Sequence, residues 1–281
     1  MTAQKFAVIV PRNDAYIHTH ALDEVAETVH YGLRALGHES TLGIPNKDGP
    51  RIIFLGANLL GDILDTAPED TIVYNIEQLD DNRAAYFATH FRPFTVWDYS
   101  ERNIVFWKSQ GITAVHVPIG YVPEMTRIIS MPVQDIDVLF YGFPNERRIK
   151  IHKELVSRGL AAVWPTDCYG AARDAYISNS KVVLNMHFYA PGIFEIARVS
   201  YLLANKKCVV SESSIDIPYG FSFKSRLFNG IYFEDYKYLA MACQGLVDDV
   251  EQRKEQAENG FELFKKFDER DILKKALEAS L

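Results

Sequence analysis

Residues 182–212, VVLNMHFYAPGIFEIARVSYLLANKKCVVSE, gather Asn185, His187, Glu195, Arg198 and Glu212 around a turn at Pro191 and Gly192. The β-branched run 182–184 and the apolar run 208–210 read as buried strands. Between them, 193–205 places Phe194, Val199, Leu202 and Leu203 where a helix packs on a sheet, with Glu195 and Arg198 three apart on one face. The unit is β–α–β. Backbone N–H groups of Gly192 and Ile193 at the positive end of that helix make a seat for a phosphate, and a carboxylate one turn in can take ribose hydroxyls. Taken alone, Glu195 and Arg198 read equally as a solvated intrahelical pair.

The elements needed to hold such a site are repeated along the chain. Residues 6–10 form a buried-type strand, followed by a loop, 11–20, that carries Arg12, Asn13, Asp14, His18 and His20. Leu22, Val25, Ala26, Val29, Leu33 and Leu36 then recur at helical spacing. Strands at 51–55, 71–75, 94–97 and 113–117 alternate with helices at 59–64, 81–89 and 100–110, which predicts a parallel sheet covered on both faces. The Pro- and Gly-containing joint 117–125 ends this series, and a second begins at 136. Its strands are expected at 138–141, 161–164, 182–184, 207–210 and 230–233, with closing helices at 238–247 and 251–267. The fold class is α/β, with a first Rossmann-like domain over 1–120, a second over 126–267, and a terminal helix over 268–281.

Composition narrows the chemistry. A formal net charge of −7 over 281 residues disfavours a mainly electrostatic nucleic-acid or membrane binder. Cys168, Cys208 and Cys243 are widely spaced within or beside apolar segments, which suits reduced thiols and a cytoplasmic location. The N-terminal apolar run is too short for a signal peptide and no stretch has the length of a transmembrane segment, so an unexported protein is expected. No GxGxxG fingerprint, P-loop, HExxH or GxSxG occurs, which argues against dehydrogenase, kinase, zincin and esterase chemistry.

Gly192, Glu195, Arg198 and the run Val209, Val210, Ser211, Glu212 resemble the "GxxE…R" helix and "VVSE" strand in the donor-binding half of GT-B glycosyltransferases of the group-1 type. The segment departs from many such sequences in having Tyr201 and Leu202 where a second acidic helix residue is common. The ribose contact then falls to Glu195 or Glu212, a choice left open. Phe140 to Phe143, followed by Asn145, Glu146, Arg147 and Arg148, resembles the "FxGxxxxRR" opening of the donor domain. There Gly142 permits close backbone approach, Asn145 caps a helix, and Arg147 or Arg148 neutralises a leaving diphosphate. The alternative is that both arginines are solvated helix residues.

The resemblance implies two Rossmann-like domains facing across a cleft, with Asn185, His187, Gly192, Glu195, Arg198 and Glu212 on the donor side and the terminal helix crossing back to the first domain. In many such enzymes the loop after the first strand holds a base or an acceptor group, which makes His20 and Asp14 catalytic candidates and His18 an acceptor contact. The segment Tyr74, Asn75, Ile76, Glu77, Gln78 resembles a "YNxEQL" stretch of some group-1 sequences. It ends a strand, so Asn75, Glu77 and Gln78 read as groups for sugar hydroxyls, with Glu77 a further catalytic candidate, or as a loop cap that satisfies backbone groups. Asp135 and Asp137 superficially match the metal-binding "DxD" of the GT-A fold, but they precede a strand and read as its solvated start.

The implied activity is transfer of a sugar from a nucleotide-diphosphate sugar to an acceptor hydroxyl on a glycan, lipid-linked precursor, protein or modified DNA base, without an obligate metal and with no cofactor besides the nucleotide-sugar co-substrate. An epimerase-like sugar-nucleotide enzyme and a non-catalytic two-lobed ligand-binding protein are the competing readings.

Overall fold

A computed structural model of the protein describes residues 2–12, 16–44, 49–56, 64–189, 192–215 and 230–280. The chain divides into two compact units, Met1–Glu124 together with Phe267–Leu281, and Met125–Lys266.

In the first unit β1 (Lys5–Ile9), β2 (Glu39–Leu42), β3 (Arg51–Leu55), β4 (Ile72–Asn75), β5 (Thr95–Asp98) and β6 (Val115–His116) form a sheet of order β2-β1-β3-β4-β5-β6, every pair parallel. Helices α1 (Asp23–Ala35), α2 (Asp81–Phe91) and α3 (Glu101–Ser109) are the crossovers the described residues contain. One apolar core lies under α2 and α3, where Phe87, Phe91 and Trp107 pack on Ala7, Phe54, Val73 and Val96. The helix expected at 59–64 and the candidate Asp14 lie outside the described residues, Leu64 excepted.

The second unit repeats the pattern. Strands β7 (Ile136–Leu139), β8 (Ala162–Val163), β9 (Ser180–Asn185), β10 (Cys208–Glu212) and β11 (Tyr232–Glu234) run parallel in the order β11-β10-β9-β7-β8. Its helices are α4 (Glu146–Ser157), α5 (Gly170–Ser178), α6 (Ile196–Ala204), α7 (Leu239–Asp248) and α8 (Val250–Phe264). Helix α5 has no counterpart in the sequence reading, because GAARDAYIS has a weak apolar stripe. Strand β7 begins before the expected 138, so Asp137 lies within it and binds Lys181 Nζ at 2.7 Å and Ala161 N at 2.8 Å. Those partners hold the Asp137 carboxyl below its ordinary pKa against the opposing effect of burial.

Helix α9 (Glu269–Glu278) belongs to the first unit. It packs on α1 at Gly32, where an added Cβ would lie 2.7 Å from both Glu269 Cγ and Leu273 Cδ1. Trp97 Nε1 donates to Ser280 Oγ at 2.9 Å, and Gly120 N donates to Glu269 Oε2 at 2.6 Å. Glu269 is fully buried, and burial pushes its carboxyl up to about 8.

Both sheets change winding direction once, between β1 and β3 in the first and between β7 and β9 in the second. Ligands of open α/β sheets bind outside the carboxyl ends of strands at such points. The loop after β7 carries Gly142, the loop after β9 carries His187, and the loop after β1 leads to His18 and His20.

Candidate functional site

In the second unit the sequence-identified residues converge on the carboxyl ends of β7, β9 and β10. Gly142 follows β7 with φ of +124°. A Cβ there would lie 3.2 Å from Arg198 Nη2 and 3.3 Å from Arg148 Nη1, so two guanidinium groups crowd one stretch of backbone. Asn145 caps α4 as its position predicts, its Oδ1 accepting from Arg148 N at 2.9 Å.

Arg148 is not a solvated helix residue. It is buried, with Nη1 donating to Phe143 O and Nη2 to Met186 O, each at 2.8 Å. Its guanidinium lies 5.1 Å from the ring centroids of both Phe140 and Phe188. Burial, and then the like charge of Arg198, disfavours its protonated form. Arg147 lies 4.2 Å over the Tyr236 ring, pairs through both terminal nitrogens with Glu212, and donates to His187 O at 2.9 Å. Arg198 rests 5.2 Å over Tyr141 and donates to Asn185 Oδ1 at 3.2 Å.

Helix α6 starts at Ile196, later than the expected 193, and this revises the phosphate seat at Gly192. Glu195 occupies the N-cap position with φ −79° and ψ 62°. Its carboxylate turns back to the strand ends, accepting from Asn185 Nδ2 at 3.0 Å and facing His187 Nδ1 at 2.9 Å. Glu195 and Arg198 are therefore linked through Asn185 and not along a helix face. Gly192 is buried, and a Cβ there would meet His187 Cγ at 2.5 Å and Nδ1 at 2.6 Å. Its small size serves the His187 ring, not an exposed anion.

His187 is almost wholly enclosed, with Nε2 facing Ser213 O at 3.2 Å. Burial disfavours the imidazolium, but the bond to Glu195 and the charges of Glu195 and Glu212 outweigh it and raise the His187 pKa. Glu195 shifts the opposite way: burial would raise it, yet His187, Arg198 and Asn185 hold it below the usual carboxylate range. The two form a largely enclosed histidine–carboxylate pair that braces the β9 loop against the start of α6. Asn185 is completed by Ser211 Oγ at 3.0 Å, and Glu212 by His187 N at 3.1 Å. Of the two carboxylates left open for ribose, Glu212 is the more committed to protein donors.

The first unit holds its candidates in networks built from different partners. His20 Nδ1 lies 2.7 Å from Asp23 Oδ2 and 3.2 Å from Arg12 Nη1, while Arg12 also pairs with Asp23. His20 Nδ1 thus faces both the Asp23 carboxylate and the Arg12 guanidinium, which orients the ring between them. His18 packs edge-on against Tyr16 with centroids 5.0 Å apart.

Asn75 is buried at the end of β4 and commits its amide to Asp98 Oδ2 at 2.7 Å and Glu77 O at 2.9 Å. Its part is to shape the turn that carries Glu77 and Gln78. Gln78 O accepts from Arg83 Nη1 at 3.1 Å.

The hub of this turn, Asp98, was not among the sequence candidates. It accepts from Asn75, Ser100 N, Asn103 Nδ2 and Trp107 Nε1. Burial outweighs those bonds and pushes its carboxyl to about 7. The available signal was an acid at the end of the apolar run FTVWD; Arg12 and Asp23, whose roles depend on the fold, had none.

No protein-family profile and no curated protein sequence matches the chain. Solved structures do match its fold. A DNA-modifying β-glucosyltransferase, studied with and without its substrate uridine diphosphoglucose, aligns at a TM-score of 0.61 and 14% identity over 98% of this chain and 100% of that one. Anabaena Alr3699/HepE in complex with UDP and glucose aligns at 0.60 and 10% over 98% and 99%. A variant of S. aureus TarM in complex with fondaparinux, α-GlcNAc-glycerol and UDP aligns at 0.58 and 13% over 91% of this chain, which spans 58% of the TarM chain.

Proposed function

We propose that the chain, whose two parallel sheets flanked by helices have the α/β fold of GT-B glycosyltransferase structures, is itself a glycosyltransferase, moving a hexosyl or pentosyl group from a nucleotide-diphosphate sugar to an acceptor hydroxyl. The observation that carries this reading is the pair of guanidinium groups, Arg148 and Arg198, held against the Gly142 backbone at the point where the second sheet changes winding direction. The like charge of Arg198 disfavours charged Arg148 more than either Glu195 or Glu212 favours it, so an anion between the two guanidinium groups would be stabilised. The fold relatives supply the class of anion, since two of them are complexes with UDP.

In this reading Arg198 and Arg148 stabilise the departing diphosphate electrostatically, taking the part a divalent cation has in other transferases. Glu195, which has fewer protein donors than Glu212, takes the ribose hydroxyls. Arg147, His187 and Asn185 hold the carboxylates in place. His20, held beside Asp23 and Arg12, is the group assigned to the acceptor proton, and Glu77 and Gln78 contact the acceptor. The acceptor is defined only as a hydroxyl-bearing molecule, a modified DNA base included. Cys168, Cys208 and Cys243 are free thiols, which supports a reducing, cytoplasmic setting, and among the described residues no helix is long and apolar enough to cross a membrane.

The deciding experiment is calorimetric titration with UDP, GDP and ADP. One of them should bind, and Arg198→Ala should weaken it by about 1–3 kcal/mol with the fold intact. A wild-type protein that binds none of the three, or an Arg198→Ala variant that binds as well as wild type, removes the basis of the proposal.

A further inference from the structure

Three aromatic rings stand beside the guanidinium pair and have no part in the assignment above. Phe143 follows Gly142 directly, and Phe188 and Tyr189 follow His187. Their centroids are 6.2 Å apart from Phe143 to Phe188 and 4.7 Å from Phe188 to Tyr189. Phe143 is 59% exposed and Tyr189 58% exposed.

Large rings left in water on a mobile loop are ordinary, but these loops are tied down. Phe143 O accepts from Arg148, Phe188 O from Asn145 Nδ2 at 2.7 Å, Met186 O from Arg148, and His187 O from Arg147. These bonds hold the backbone of Phe143 and of 186–188, the residue before Tyr189 included, while the Phe143 and Tyr189 rings keep more than half of their surface exposed.

We propose that Phe143, Phe188 and Tyr189 form a platform for the transferred sugar, against which the C–H face of a pyranose packs while its hydroxyls stay turned to polar groups. The inference rests on the glycosyltransferase reading and deepens it. The placement follows from connectivity. A nucleotide-diphosphate sugar carries its ribose at one end of the diphosphate and its transferred sugar at the other. The carboxylates Glu195, at the start of α6, and Glu212, at the end of β10, mark the ribose end, whereas Phe188 is tied through its carbonyl to Asn145 on the β7 side. The peptide that joins Gly142 to Phe143 continues from the guanidinium pair into the platform, so the platform takes the opposite end. An aromatic face suits a pyranose because its axial hydrogens form a flat apolar patch, and two half-exposed rings in different planes can cup it.

The test compares each sugar nucleotide with its own nucleoside diphosphate: UDP-glucose against UDP and GDP-mannose against GDP, by calorimetry on wild type, Phe143→Ala and Tyr189→Ala. Circular dichroism and thermal melts check that each variant is folded. In wild type the sugar nucleotide should bind more tightly than the bare diphosphate. The variants should lose about two- to tenfold of that advantage, the scale of one aromatic contact, with affinity for the bare diphosphate unchanged.

An equal loss for sugar nucleotide and bare diphosphate would mean that the rings stack the base, and would overturn the inference. Unchanged affinities for both would also overturn it. A wild-type protein that binds no nucleoside diphosphate would instead strike at the glycosyltransferase reading itself.

Discussion

Replacing Gly192 by alanine tests the geometry of the second-unit site at its tightest point. The new Cβ would lie 2.5 Å from His187 Cγ, 2.6 Å from Nδ1 and 2.9 Å from the His187 Cβ. Ordinary carbon contacts begin near about 3.5 Å, so the imidazole or the Gly192 backbone must move by about 1 Å. The ring is held by Glu195 Oε1 at 2.9 Å and Ser213 O at 3.2 Å, and a shift of that size breaks both contacts. Overpacking of a core costs about 1–3 kcal/mol, and loss of a charge-assisted bond adds about 1.5–3 kcal/mol, so Gly192→Ala should destabilise the protein by roughly 2.5–6 kcal/mol.

The pH dependence has a definite sign. The His187 pKa is raised above 6.5 in the fold, so its contribution is complete below 6.5 and fades as pH rises through the higher folded value. Glu195 is lowered from 4.5, so its contribution is complete above 4.5 and fades as pH falls through the lower folded value. The defect of Gly192→Ala should therefore be largest between those two limits and shrink on the alkaline side. Urea unfolding followed by circular dichroism measures it. His187→Ala supplies the control, because with the ring gone Gly192→Ala should cost far less. A Gly192→Ala variant as stable as wild type, or one equally destabilised in the His187→Ala background, would refute the reasoning.

Two further outcomes follow from the same physics. Glu269 stands near 8 in the fold against an ordinary 4.5, so the folded state holds a proton that the unfolded state has lost, and stability should fall as pH rises between those values. Glu269→Gln keeps an acceptor for Gly120 N and should flatten that slope, becoming more stable than wild type by at least about 1 kcal/mol near the upper limit; a difference between the two proteins that does not change with pH would refute it. If Arg148 and Arg198 compensate the diphosphate charge as proposed, glycosyl transfer should persist in EDTA; loss of transfer that manganese or magnesium restores would contradict that proposal.

The amino-acid sequence by itself determined the alternation of buried strands and amphipathic helices, the restart of the sheet near 136, and the gathering of Asn185, Glu195, Arg198 and Glu212 about one β–α–β unit, whereas the place of Gly142 beside them was implied by the family resemblance alone. What the sequence determined rests on short-range signals: β-branched runs, helical spacing, and polar residues placed where a parallel strand must end. The start of α6 was set by tertiary structure, because the attraction of His187 and Asn185 for the Glu195 carboxylate holds 192–195 out of the helix.

The pairing of Arg147 with Glu212, 65 positions away, and the seating of Gly120 on Glu269, 149 positions away, leave no periodic trace in the chain. The same is true of Asp98, whose hydrogen bonds to Asn75 and Trp107 exist only because β4, β5 and α3 are packed together. Local propensity acts over a few residues and can be read along the chain. A buried charge finds its partner through the fold, since the desolvation penalty that forces the pairing arises only once the surrounding core has excluded water.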